Sequence, residues 1–155
     1  PEVKCLIAGQ GARRDELEKL VRELHVSDRV SFLGGLKESE LQAFFTEIDV
    51  LAVPSRQESF GISIVEAMSA GRPVIGSYAG GIPDVIEDGE TGLLINPESP
   101  EELADAIVRL ANDRPGARAM GVRAREYCRK TYSVEAVWTQ LESIYDELIF
   151  GKAEK

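Results

Sequence analysis

IDVLAVPSRQESFGISIVEAMSAGRPVIGS, residues 48–77, decides the fold. It opens on a short apolar run, 48–53, halted by Pro54, and resumes after a polar loop as an apolar segment, 61–70, closed by Gly71 with Pro73 just beyond. The run is short and rich in β-branched residues, so it reads as a buried strand. The segment after the loop has the length of a helix, a glycine where helices end and a proline that cannot prolong one. Residues 74–77 supply the next strand. Strand, loop, helix and strand in succession, with apolar residues continuous along the strands instead of alternating, predict parallel pairing covered on both faces.

The same alternation extends in both directions. Upstream, residues 3–8 (VKCLIA) predict a strand ended by Gly9 and Gly11. Leu17, Leu20, Val21 and Leu24 predict an amphipathic helix over 15–24, residues 30–33 a strand, and Leu41, Phe44 and Phe45 a helix over 38–45. Downstream, Gly80-Gly81-Ile82-Pro83 reads as a turn, 84–86 as a short helical turn and 92–95 as a strand. Three helices follow, over 101–111, 117–130 and 134–150. The last carries Val137, Trp138, Leu141, Ile144, Tyr145 and Leu148 on one stripe, read as packing residues, and 152–155 reads as a frayed tail. The fold class is α/β, a doubly wound parallel sheet with helices on both faces and a helical C-terminus, in one domain spanning 1–155.

Composition narrows the function. In 155 residues, 18 Lys plus Arg against 27 Asp plus Glu leave a net charge of -9, which repels a nucleic-acid backbone. No stretch approaches the roughly 18 consecutive apolar residues that cross a bilayer, and no secretory signal pattern opens the chain. A soluble, cytoplasmic domain is expected. Cys5 and Cys128 have no neighbouring ligand at metal spacing and read as two buried structural thiols.

In open parallel sheets ligands sit beyond the carboxyl ends of the strands, and the loop 54–61 is at such a place. Gly61, Ile62 and Ser63 would open the next helix with unpaired N–H groups and the positive end of its dipole, which suits a phosphate. Glu58 precedes that helix and Glu66 falls about one turn inside it. Carboxylates accept paired hydrogen bonds from vicinal hydroxyls, so the segment fits a ribose diol or a sugar ring, with Gly80 and Gly81 lining the same crevice. The same residues also admit a plainer reading, in which Glu58 caps the helix and Glu66 is a solvated surface residue. His25 reads as a helix-end residue. Gly9-x-Gly11 lacks the third glycine of a dinucleotide fingerprint, position 14 being arginine, and Arg13, Arg14 and Arg72 read as solvated.

Residues 54–97, PSRQESFGISIVEAMSAGRPVIGSYAGGIPDVIEDGETGLLINP, closely resemble the donor-binding domain of retaining family-4 glycosyltransferases. Glu58 and Glu66 match its E-x7-E signature, flanked by Phe60-Gly61, Glu66-Ala67-Met68, Gly71-Arg72-Pro73-Val74 and Gly80-Gly81. LIAGQG, DRVSFLGGL and IDVLAVPS fit the same domain. The resemblance implies the Rossmann-like C-terminal half of a two-domain glycosyltransferase B fold, with a nucleotide-diphospho-sugar such as a UDP-, GDP- or ADP-sugar as donor and no cofactor or metal. It implies that Glu66 holds the ribose, that Glu58, Phe60, Gly61 and Ile62 contact the donor sugar and phosphates, with Glu58 in the catalytic role, and that Leu36 lies near the base through its backbone.

By this resemblance the chain is expected to lack the first strand and helix of its domain, with the Arg and Lys that clamp the diphosphate, and the N-terminal acceptor domain. That missing half would bring a sugar, lipid-linked or other hydroxyl acceptor and any membrane-peripheral location. The fragment alone is expected to be inactive and to oligomerise through an unpaired sheet edge. Two other functions stay open: a non-catalytic scaffold or regulatory domain of the same fold, and a nucleotide-sugar epimerase.

Overall fold

The computed structural model describes residues 2–151, so the expected tail at 152–155 lies outside the described residues. The chain divides into two compact units, Pro1–Glu47 and Ile48–Lys155.

In the first unit, β1 (Cys5–Ala8) pairs parallel with β2 (Val30–Gly34), each strand followed by a helix, α1 (Arg14–Glu23) and α2 (Glu38–Glu47). The register slips between Ile7 and Ala8, where the chain leaves the ladder towards Gly9. His25 ends α1 with a left-handed φ of 56° and its N–H on the Arg22 carbonyl, the helix-end place expected of it. Burial departs from expectation. β1 is exposed except for half-buried Ile7, Leu6 is 41% exposed, and Cys5 is an exposed free thiol, not a buried one. Two strands form a sheet too narrow to enclose its own apolar faces, so an apolar run that signals a strand here does not signal a core.

The second unit holds a three-stranded parallel sheet in the order β3 (Leu51–Val53), β4 (Val74–Ser77), β5 (Gly92–Ile95). β3 starts three residues later than the apolar run, because its ladder begins where Leu51 pairs with Val74, its N–H on the Pro73 carbonyl. Side chains alternate between faces along β4. Ile75, with Leu93 and Ile95 of β5, packs against Ala106 and Leu110 of α5 (Pro100–Asn112) and Met120 of α6 (Arg114–Tyr132). On the other face, Gly76 lies against Ile82 of α4 (Ile82–Val85) and against Ile86; a Cβ there would come 2.6 Å from Ile82 Cγ2. β4 is buried along its whole length, and helices cover both faces of this sheet. The α/β class is thus present with parallel sheets, flanking helices and a helical C-terminus.

Helix α3 (Ile62–Ser69) buries Ile64, Ala67 and Met68 completely, the stripe that its three-and-four spacing requires. It packs on α6 through glycines: the carbonyl of Gly71, which follows α3 with φ 76°, fills the place a Cβ on Gly121 would take. Gly121→Ala is therefore expected to destabilise the unit by about 2–3 kcal/mol through overpacking. Urea unfolding followed by circular dichroism checks this, an unchanged midpoint being the contrary result. α6 begins three residues before the expected start because Asp113 caps it, its Oδ1 accepting the Gly116 N–H at 2.9 Å.

Helix α7 (Val134–Phe150) follows Ser133, whose side chain accepts the Ala136 N–H at 3.1 Å. Its apolar stripe has helical spacing, but the stripe is unburied. Trp138 is 61% exposed, and Val137, Leu141, Ile144, Tyr145 and Leu148 are exposed with it, so they are not packing residues within the described chain. Trp138 instead donates its indole N–H to Glu142 at 2.7 Å.

Candidate functional site

The second unit brings together one loop, one helix start and one glycine turn. Between β3 and α3 the chain turns through Gly61, at φ 90° and ψ 55°, a left-handed geometry that strains any residue with a Cβ. A Cβ here would also lie 2.8 Å from Ile64 Cδ1. The half-buried Glu58 bends back on this turn, its Oε1 accepting the N–H of Gly61 at 3.2 Å and of Phe60 at 3.4 Å. Glu58 thus closes the turn just ahead of α3, with the Gly61 amide already bonded and no N–H of α3 itself among its partners. Ile62 and Ser63, the first two residues of α3, point N–H groups out of the helix end, where no intrahelical acceptor exists for them.

Glu66 is the fifth residue of α3, about 6 Å along the axis from Ile62, with an exposed side chain. Glu58, the amides and Glu66 therefore lie along one continuous segment at the carboxyl end of β3.

The glycine pair does more than line this region. Gly81 donates its N–H to the Glu58 carbonyl at 2.9 Å, and Cβ atoms on Gly80 and Gly81 would collide with the carbonyl oxygens of Glu58 and Ser59. The two loops leaving β3 and β4 are in backbone contact, which only glycine permits. Ser77, fully buried at the end of β4, adds a second tie by donating its hydroxyl to the Ser55 carbonyl at 2.5 Å. Sequence reading missed Ser77; its signal was a lone hydroxyl closing an apolar strand, which a buried site must satisfy.

Phe60 is 44% exposed, yet its ring meets that of Tyr132 edge-on, with centroids 5.6 Å apart. Tyr132 was also missed. Its hydroxyl donates to the Asp84 carbonyl at 3.5 Å, and burial, helped by Tyr127, pushes its pKa up to about 12. Arg56, in the loop itself, is paired with Glu98 at 2.8 Å, both side chains exposed. They help line a cavity of ≈ 340 Å³ with Asn96 and Leu103. A second cavity, of ≈ 270 Å³, is lined by Ser69, Arg125, Cys128 and Tyr132; Glu58, Gly61 and Glu66 line neither.

Leu36 belongs to the first unit, half-buried between β2 and α2. In that unit Arg13 pairs with Glu16 and Arg14 with Glu18, and the Arg14 guanidinium lies 5.7 Å from the Phe32 ring centre. Among the described residues no group of three or more His, Cys, Asp or Glu is placed to hold a metal ion, and no helix is long and apolar enough to cross a membrane.

The chain has known relatives. It is 40% identical over 142 residues to D-inositol 3-phosphate glycosyltransferase of Corynebacterium glutamicum (strain R), a match covering 92% of this chain and 34% of that protein. Among solved structures it resembles sucrose-phosphate synthase from Thermosynechococcus elongatus (TM-score 0.82, 34% identity, 95% of this chain and 39% of that one). It also resembles Anabaena Alr3699/HepE in complex with UDP-glucose (TM-score 0.84, 27% identity, 95% of this chain and 42% of that one). The chain thus spans about a third of the length of the curated relative it matches. The family model described as "Glycosyl transferases group 1" matches residues 1–127. That match takes in β1 through β5, both loops that meet at Glu58 and most of α6, and the chain belongs to the glycosyl transferases group 1 family.

Proposed function

We propose that this chain is the donor-binding part of a retaining glycosyltransferase, which moves a glycosyl group from a nucleoside-diphospho-sugar to the hydroxyl of a sugar or other acceptor. The observation that carries the reading is the continuous segment in which Glu58 closes on the Gly61 turn, α3 presents its unpaired amides and Glu66 stands exposed one turn further on. The relative solved with UDP-glucose supports the donor class.

In this reading the Ile62 and Ser63 amides and the α3 dipole take the diphosphate, and they act without a metal. As the bond between sugar and diphosphate breaks, negative charge grows on the leaving oxygen, and fixed amides stabilise it without having to reorganise. Glu66 accepts the ribose hydroxyls. Glu58 holds Phe60 and Gly61 in the shape that faces the donor sugar, its carboxylate within reach of the sugar hydroxyls, while Gly80 and Gly81 hold Glu58 from behind. The acceptor is held by a further domain, as the length of the relatives suggests.

Calorimetric titration with UDP, GDP and ADP tests this. One ribonucleoside diphosphate is expected to bind clearly more tightly than the other two. If neither this chain nor a longer protein containing it binds any of the three, the reading fails, and a scaffold role takes its place.

A further inference from the structure

We infer that Tyr132, the last residue of α6, is a positioning residue that holds the donor loop in its binding shape through the ring of Phe60. Phe60 lies between Glu58 and Gly61, and its own N–H, like that of Gly61, bonds to the Glu58 carboxylate, so the direction of its side chain and the path of this backbone are set together. Left to itself, a side chain 44% exposed on a loop turns freely. The Tyr132 ring stops it: the two rings stand at 86° with centroids 5.6 Å apart, the edge-to-face arrangement that aromatic quadrupoles favour.

Tyr132 is in turn fixed from three directions. The Tyr127 ring stands 6.1 Å away at 72°, the hydroxyl reaches the Asp84 carbonyl after α4 has begun, and one turn back Cys128 donates its thiol to the Val65 carbonyl at 3.7 Å, clamping α6 to α3. The strut therefore joins the loop ahead of α3 to the helix packed against α3. Tyr132 also lies beyond residues 1–127, the part of the chain that the family model matches. Immediately after it Ser133 leaves helical geometry, with φ -66° and ψ 155°, to begin α7.

The test uses the whole chain and two readouts, of which only the second rests on the proposed function. In the absence of nucleotide, Tyr132→Leu is expected to speed amide exchange at Gly61 between about twofold and tenfold, the range an edge-to-face pair supplies, with exchange in β4 and β5 unchanged. The same variant is expected to weaken binding of the preferred nucleoside diphosphate by a similar factor. Tyr132→Phe keeps the ring, loses only a long hydrogen bond and should match the parent on both counts. Phe60→Leu, at an exposed position where unfolding is not a concern, should reproduce the exchange result from the other side of the pair.

Unchanged exchange at Gly61 in both leucine variants would overturn the inference, as would a phenylalanine variant as impaired as Tyr132→Leu, since the hydroxyl and not the ring would then carry the effect. A loosened loop with unaltered nucleotide affinity would also overturn it. Absence of nucleotide binding both in the parent chain and in a longer protein containing it would sink the proposed function, while the exchange data still decide whether the strut exists.

Discussion

Gly80→Ala is expected to destabilise the second unit by about 2–5 kcal/mol and to remove nucleotide binding. Two costs add. At φ 54° the backbone is left-handed, where a Cβ costs about 1–2 kcal/mol. That Cβ would also occupy the space of the Glu58 carbonyl, and relieving such overpacking costs roughly 1–3 kcal/mol or shifts the loop. A shift takes Glu58 away from the Gly61 and Phe60 amides and opens the start of α3, which is why binding fails along with stability. Gly89→Ala separates the two costs, because Gly89 has φ 78° but no atom within 4 Å of a built Cβ. It should lose only the backbone part and bind normally. Denaturant unfolding and calorimetry on both variants decide the matter, and equal behaviour of the two would show that the contact with Glu58 is dispensable.

Glu66→Gln is the second change of large effect, and its signature is selective. The side chain is exposed on α3 and supports no packing, so the fold should be untouched. Hydrogen bonds to a charged acceptor contribute about 1.5–3 kcal/mol, so affinity for the preferred ribonucleoside diphosphate should fall by roughly 10- to 100-fold. Affinity for its 2′-deoxy analogue, which lacks one of the two hydroxyls, should change far less. An equal loss for both nucleotides would take Glu66 away from the 2′-hydroxyl, and no loss for either would remove it from the site.

The order of elements was legible because each depends on local pattern. The run at 74–77 and the glycine that ends α3 stand where periodicity and end signals put them, and the three C-terminal helices follow in the expected order, with α6 starting three residues early. Burial was less legible. The stripe on α7 and the run in β1 have the periods of packed elements, but period tells which residues share a face and not whether anything covers that face. The Asp113 cap is signalled only by an acid three residues ahead of a glycine amide, which is weaker than the apolar period that sets the expected start of α6.

At the candidate site, Glu58, Gly61 and Glu66 could be singled out because loop, helix start and helix turn follow one another along the chain. The partners of that segment are distant in sequence. Ser77, Tyr132 and the backbone contact of Gly80 with Glu58 are set by tertiary folding, and no spacing rule links position 60 to position 132.

The fastening of the Ser55–Glu58 backbone to Ser77 and Gly81 has a consequence for altering donor preference by transplantation. A stretch borrowed from a relative and inserted between β3 and α3 meets a carbonyl-to-glycine fit moulded on the original path. The turn after β4 must travel with it, so that the two pieces are exchanged as a single cassette; a graft of the first piece alone inherits a mismatched mould.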